Sequence, residues 1–250
     1  MSYNSGQMLE EKIVQILNEN KIEHLPQNLK NLVQFIFPNC QDNDIVRAEV
    51  IEGTMKPDFS VTVGEQTHYV SMKSGVNNIF HQEYIKNYIG ILRDYGFSDT
   101  VLRAVLFFQY GDGTYNGTGK ERMSYTALRM KLEKAFILAN EELNRNRKTV
   151  IELLDRFLFK GSHEEYIPAD YLYDGDVNNG IIVSRSQVMK HLEVKNWDYI
   201  EALHIGPVLF RPHARYYKAN VKKESYRARV EFYWPNLLND LDYIRSHYLP

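Results

Sequence analysis

Lys56-Pro57-Asp58-Phe59-Ser60-Val61-Thr62-Val63 and His68-Tyr69-Val70-Ser71-Met72-Lys73, with Gly64 to Thr67 between them, decide how this chain folds. Both runs are rich in β-branched and aromatic residues, and a glycine turn separates them, which is the signature of an antiparallel hairpin. Opposed residues in such a hairpin share a face. A turn centred on Glu65-Gln66 sets Asp58 opposite Lys73, and one on Gly64-Glu65 sets it opposite Ser71. Either register gathers Asp58, Ser71 and Lys73 on one face. The other face is then Phe59, Val61, Val63, Val70 and Met72, with His68 its one polar residue near the turn. A slip by one residue would bury a carboxylate and an ammonium with the core, so the pattern fixes which residues share a face and leaves the two registers open.

Outward from the hairpin, the period of the apolar residues changes. Upstream, Leu9, Ile13, Ile16 and Leu17 recur at helical spacing, and Leu29, Leu32, Val33, Phe35 and Ile36 repeat the pattern before Pro38. A strand near 44–52 precedes the hairpin. Downstream, Phe80, Tyr84, Tyr88, Ile91 and Leu92 form the stripe of a helix ending at Gly96, and Val101 to Phe108 is a nearly continuous apolar run that reads as a strand covered on both faces. The predicted order is helix, three strands, helix, strand, an α/β core with a mixed sheet over residues 1–110. An α+β extension over 111–250 is expected to pack on it. There Gly111 to Gly119 is a loop too rich in glycine to hold one shape unaided, followed by a long helix from Tyr125 to Leu143 and another from Val150 to Leu158. Residues 162–179 read as polar and irregular. A helix near 185–193, strands near 205–211 and 225–233 and a helix from Pro235 close the chain.

Composition narrows the function classes. In 250 residues, 44% apolar and 25% charged, there is material for a sizeable core. No stretch approaches the ~18 consecutive apolar residues of a membrane span. The start, Met1-Ser2-Tyr3-Asn4, carries neither the cations nor the apolar segment of a secretory signal, so a cytoplasmic protein is expected. A lone cysteine, Cys40, excludes an internal disulfide and a thiolate zinc cluster. No Gly-X-Ser-X-Gly elbow occurs, and no glycine stands five residues before Gly119, which excludes a P-loop there. Asp174-Gly175-Asp176 opens like a calcium loop, but Asn179 and Arg185 stand at its sixth and twelfth positions. Net charge is 30 minus 32, or −2, so nucleic-acid binding has to come from a local patch. Arg211, Arg215, Lys218, Lys222, Lys223, Arg227 and Arg229, against the single acid Glu224, form one, interleaved with Tyr216, Tyr217 and Tyr226.

An acid and a lysine side by side on a sheet rim, with a further carboxylate nearby, suit phosphodiester hydrolysis. Carboxylates hold a hard divalent ion such as Mg²⁺, and a compact cation orients water or offsets the charge growing on phosphorus. The plain alternative is a cross-strand ion pair worth about 0.2–1 kcal/mol.

Pro57-Asp58, then Ser71-Met72-Lys73, within that order of elements, resembles the PD-(D/E)XK nuclease superfamily over roughly residues 8–110. Ser71 stands where the family usually has Asp or Glu. A subset of type II restriction endonucleases shares this serine and takes the missing carboxylate from a glutamate on the helix after the lysine. The matching candidate is Glu83, with Glu49 on the preceding strand and Glu10 on the first helix as alternatives; Glu10 lies nearer the apolar stripe than Glu11. The resemblance implies a Mg²⁺-dependent endonuclease acting on DNA, with Mn²⁺ able to substitute and RNA left open. In it Asp58 and one of those glutamates would hold the metal, Lys73 would position the water, and Ser71 would supply a hydrogen bond. A homodimer follows if both strands are cut. The alternative is the same fold without activity, kept for nucleic-acid binding or assembly.

Overall fold

The computed structural model describes residues 5–53, 55–73, 78–119, 121–161, 167–197, 202–213 and 227–249. In chain order the elements are α1 (Ser5–Leu17), β1 (Asn20–Lys21), α2 (Gln27–Ile36), β2 (Ile45–Val50), β3 (Phe59–Val63), β4 (Gln66–Lys73), β5 (Ile79–Tyr84), α3 (Ile85–Asp94), α4 (Asp99–Tyr110), α5 (Tyr125–Arg145), α6 (Arg147–Asp155), β6 (Tyr171–Gly175), β7 (Gly180–Ser184), α7 (Arg185–Val194), β8 (His204–Ile205), β9 (Val208–Pro212), β10 (Arg229–Tyr233) and α8 (Leu237–His247). They form two compact units. The first comprises Met1–Asn78, Asp155–Val194 and Asn236–Pro250, and the second Ile79–Leu154 and Lys195–Pro235. The boundary expected at residue 110 falls inside the second unit.

The first unit holds a six-stranded sheet in the order β1-β2-β3-β4-β6-β7. β4 and β6 are parallel and the other pairs antiparallel, so the sheet is mixed and the fold is α/β. The predicted hairpin is present. Pairs run from Phe59–Val70 to Val63–Gln66, which leaves Gly64-Glu65 as the turn. Gly64 sits at φ +61, a conformation glycine adopts without the penalty of a side chain. One sheet face carries Val46, Ala48, Phe59, Val61, Val70, Met72, Tyr173 and Ile182, buried with Ile13 and Leu17 of α1 and Leu29, Leu32, Val33 and Ile36 of α2. The alternation in sequence becomes the two sides of this sheet.

Three expectations fail, each for a physical reason. The apolar run 101–108 is not a strand but most of α4, the helix Asp99–Tyr110. A short apolar run fits a buried helix or a buried strand equally, and the boundaries settle it: Ser98, in extended conformation, precedes the first turn and Gly111, at φ +60, ends the last, enclosing more residues than most strands contain. The helix expected from about residue 80 starts only at Ile85, because Ile79–Tyr84 pairs with β10, far along the chain. Finally, 162–179 is not all irregular. Tyr171–Gly175 is the parallel neighbour of β4, and it rather than 101–108 extends the sheet beyond the hairpin. Its apolar core is only Tyr171-Leu172-Tyr173 between two aspartates, too short to register as a strand by itself.

In the second unit a four-stranded antiparallel sheet runs β5-β10-β9-β8. Phe210 and Phe232 meet the ring of Tyr88 from α3, each at 5.1 Å between centroids, so that face is the one the helices cover. Among the described residues no helix is long and apolar enough to cross a membrane.

Candidate active site

The hairpin ladder continues one step past β3, since the Asp58 amide donates to the Val70 carbonyl at 2.8 Å and the Asp58 carbonyl accepts from Ile51 at 3.0 Å. Backbone bonds on both sides therefore fix where the Asp58 carboxylate emerges. That carboxylate accepts from the Ser71 hydroxyl at 3.2 Å and from the Met72 amide. Lys73 Nζ lies 3.9 Å from the same oxygen and donates to the Met72 carbonyl at 2.6 Å. Asp58, Ser71 and Lys73 are thus brought together, in the register that opposes Asp58 to Ser71. Ser71 itself is fully buried, a donor to the acid rather than an open ligand.

Two further residues reach this cluster. Glu10, on α1, has its carboxyl pushed up from 4.5 to about 7, first by burial and then by the negative charge of Asp58, with Lys73 opposing. Lys56 is 8% exposed. Burial, and after it the charge of Lys73, holds its ammonium well below the ordinary lysine range, while Asp58 works the other way. Sequence reasoning left Lys56 out of the site. Its place two residues before Asp58 is the signal that could have found it, because alternation carries that spacing to one side. Asp174 was also missed. It is the parallel partner of Lys73 on β6, buried to 2%, and its register was hidden with its strand.

Glu49 pairs with Ser60 across β2 and β3 and is exposed. Glu83 belongs to the second unit and is not on a helix. It lies on β5, buried, and accepts from the Tyr84 amide at 2.9 Å and from Asn87 Nδ2 at 3.0 Å, with His81 at 3.7 Å. Among the described residues, no group of three or more His, Cys, Asp or Glu is arranged to hold a metal ion. Of the basic segment, Arg215, Lys218, Lys222 and Lys223 lie outside the described residues, as do Tyr216, Tyr217, Glu224 and Tyr226. Arg211 pairs with Glu231 at 2.8 Å and Arg227 with Asp112 at 2.9 Å, whereas Arg229 lies over the Tyr84 ring at 5.2 Å.

The raised Glu10 carboxyl has a consequence for stability. A carboxyl that titrates near 7 when folded and near 4.5 when unfolded keeps a proton on folding between those values. Its contribution is fully present below about pH 4.5 and is lost as pH rises through 7. Glu10→Gln is therefore expected to stabilise the metal-free chain at pH 8 by about 1 kcal/mol, well under the full linkage value because Glu10 is half-exposed and water screens it. Thermal melts of both forms from pH 4 to 8 check this: the gap must open with pH.

No protein-family profile matches the chain, and no curated protein matches its sequence. Among solved structures it is similar to the restriction endonuclease MspI in complex with its cognate DNA, at 11% identity and a TM-score of 0.47 over 90% of this chain and 87% of that one, a likeness too loose to assign a family.

Proposed function

We propose that the chain is a Mg²⁺-dependent endonuclease that hydrolyses phosphodiester bonds in DNA, with its centre at Glu10, Asp58 and Lys73. The observation that carries this reading is the cluster at the end of the hairpin: the Asp58 carboxylate is fixed by the Ser71 hydroxyl and the Met72 amide, Lys73 Nζ stands 3.9 Å from it, and the Glu10 carboxyl, raised first by burial, also feels the charges of Asp58 and Lys73. Two hard carboxylates within electrostatic reach of each other fit a divalent cation, and Mg²⁺ commonly takes one or two carboxylates and keeps its waters. Asp58 and Glu10 would hold it, where it would polarise a phosphoryl oxygen and acidify bound water; Mn²⁺, with the same oxygen preference, can replace it.

The chain's own groups do the rest. The Ser71 hydroxyl and Met72 amide fix one oxygen of Asp58 and so its rotamer. Lys73, tethered through its ammonium to the Met72 carbonyl, holds positive charge where an attacking water or a phosphorane oxygen would lie. Glu83 is set aside as second ligand because its carboxylate is engaged within its own unit, one oxygen by Tyr84 and Asn87 and the other 3.7 Å from His81. Cutting both strands needs two centres, and a homodimer belongs to this reading.

Incubating supercoiled plasmid with the intact chain tests it. Open circles should form with Mg²⁺, disappear with EDTA, and fail to form with Asp58→Ala. A second reading, a nucleic-acid-binding or assembly protein without activity, is favoured by Ser71, which is wholly buried and occupied by Asp58. Retention of DNA by a well-folded chain that never nicks it, in Mg²⁺ or Mn²⁺, would decide for that reading.

A further inference from the structure

The four-stranded sheet of the second unit has two unlike faces. One lies under the helices and carries Phe210, Val230 and Phe232. The other is built in rows that cross the strands. Tyr84 opposes Arg229, and the backbone of His213 bonds to that of Arg229 on the far side; in the next row Gln82, Glu231 and Arg211 stand abreast. Tyr84 and Gln82 are exposed, and Arg211, His213, Arg229 and Tyr233 are half-buried.

Both arginines of this face lie over tyrosines. Arg229 is 5.2 Å from the Tyr84 centroid and donates to the Tyr84 hydroxyl at 3.3 Å. Arg211 is 4.3 Å from the Tyr233 centroid, and its Nε is fixed by Glu231, which also takes His213 at 2.7 Å. Stacking settles the guanidinium planes in advance, so little side-chain freedom remains to be lost on binding. Among the described residues no carboxylate pairs with Arg229, and the terminal nitrogens of Arg211 take no hydrogen bond. In a chain of net charge −2, the face combines the Arg229 guanidinium, which no described carboxylate pairs, with the Arg211 guanidinium, held through Nε by Glu231, and with exposed aromatic surface at Tyr84.

Forks of this kind match phosphate oxygens, and flat rings match the faces of bases. Dimensions choose between duplex and single strand. At ~4.8 Å per step four strands extend about 14 Å from first to last, wider than the ~12 Å major groove, so the face as a whole does not fit against base edges there. An unpaired strand can lay its bases flat on such a platform.

We propose that the open face of this sheet binds an unpaired nucleic-acid strand, with phosphates on Arg229 and Arg211 and a base against Tyr84. The site goes beyond the hydrolytic reading and does not depend on it, because binding needs no metal and no turnover. The test is fluorescence polarisation of the intact chain in EDTA with a labelled 20-nucleotide DNA strand, its RNA counterpart, and the DNA duplex of the same sequence. The strand should bind at least about 10-fold more tightly than the duplex, and Tyr84→Ala should lose about 10-fold or more of that affinity. Arg229→Lys, which keeps the charge and loses the plane, should also weaken the strand complex, whereas Tyr84→Phe should keep it. The DNA and RNA arms show which strand is preferred, and either preference supports the proposal. Binding is read in EDTA, without turnover, so a chain that fails to nick plasmid still passes or fails here independently. Duplex bound as tightly as strand overturns the proposal, as does unchanged affinity in Arg229→Lys and in a folded Tyr84→Ala. Should Tyr84→Ala melt early, Arg229→Lys decides alone.

Discussion

Lys73→Ala is expected to lower the rate of plasmid nicking at saturating DNA by about two to three orders of magnitude, the usual loss when one preorganised charge-stabilising group is removed. DNA affinity should change by less than about 3-fold, since one phosphate contact among several is affected. Lys73 Nζ is pinned by the Met72 carbonyl at 2.6 Å and stands 3.9 Å from the Asp58 carboxylate, so its charge is fixed in place before any substrate arrives. Arginine should rescue poorly, because its planar fork is longer and cannot occupy the position of a compact ammonium. Single-turnover rates and DNA titrations on the same preparations separate the two effects. If the pair were only a cross-strand ion pair, nicking would persist and the variant would lose no more than about 1 kcal/mol of stability.

Asp112→Ala should have the largest effect on stability, about 3–5 kcal/mol, through loss of an internal charge that several donors share. The Asp112 side chain is 0% exposed. One of its oxygens accepts from the Thr114 amide at 3.0 Å and the Thr114 hydroxyl at 2.7 Å; the other accepts from the Gly119 amide at 2.9 Å and pairs with Arg227 at 2.9 Å. Removal leaves a half-buried guanidinium and two amides without their acceptor. Gly117 serves close approach: a side-chain carbon there, at φ +74, would meet the Tyr110 ring at 2.6 Å. Denaturant melts should show the loss. Hydrogen exchange should place it at Thr114 and Gly119 if the second unit opens separately.

This loop shows what a linear reading misses. Nine residues with four glycines read as shapeless, yet one buried aspartate and a distant arginine give them a single form, and neither is visible as a pair in sequence. The hairpin was legible for the opposite reason. Its alternation, turn and polar pair are local, and one face had to be apolar, so side-chain placement followed without any distant partner, and only the choice between two registers was left to the structure. Arg211 and Arg227 illustrate a further limit, since a run of cations says nothing of the carboxylates that Glu231 and Asp112 bring to them. The role of α1 was only half visible. Helical spacing places Glu10 beside the buried stripe, but its coupling to Asp58 and Lys73 depends on how α1 lies against the sheet. Strands β6 and β7 escaped because short apolar runs between aspartates and glycines acquire strand character only from their neighbours.

The most direct test of the account is calorimetric titration of Mg²⁺ into the intact chain and into Asp58→Asn, Glu10→Gln and Glu83→Gln. The parent and Glu83→Gln are expected to bind the ion alike, and Asp58→Asn and Glu10→Gln to lose most of the affinity. Undiminished binding by Glu10→Gln, or loss of binding by Glu83→Gln instead, would contradict the assignment of the centre to the first unit.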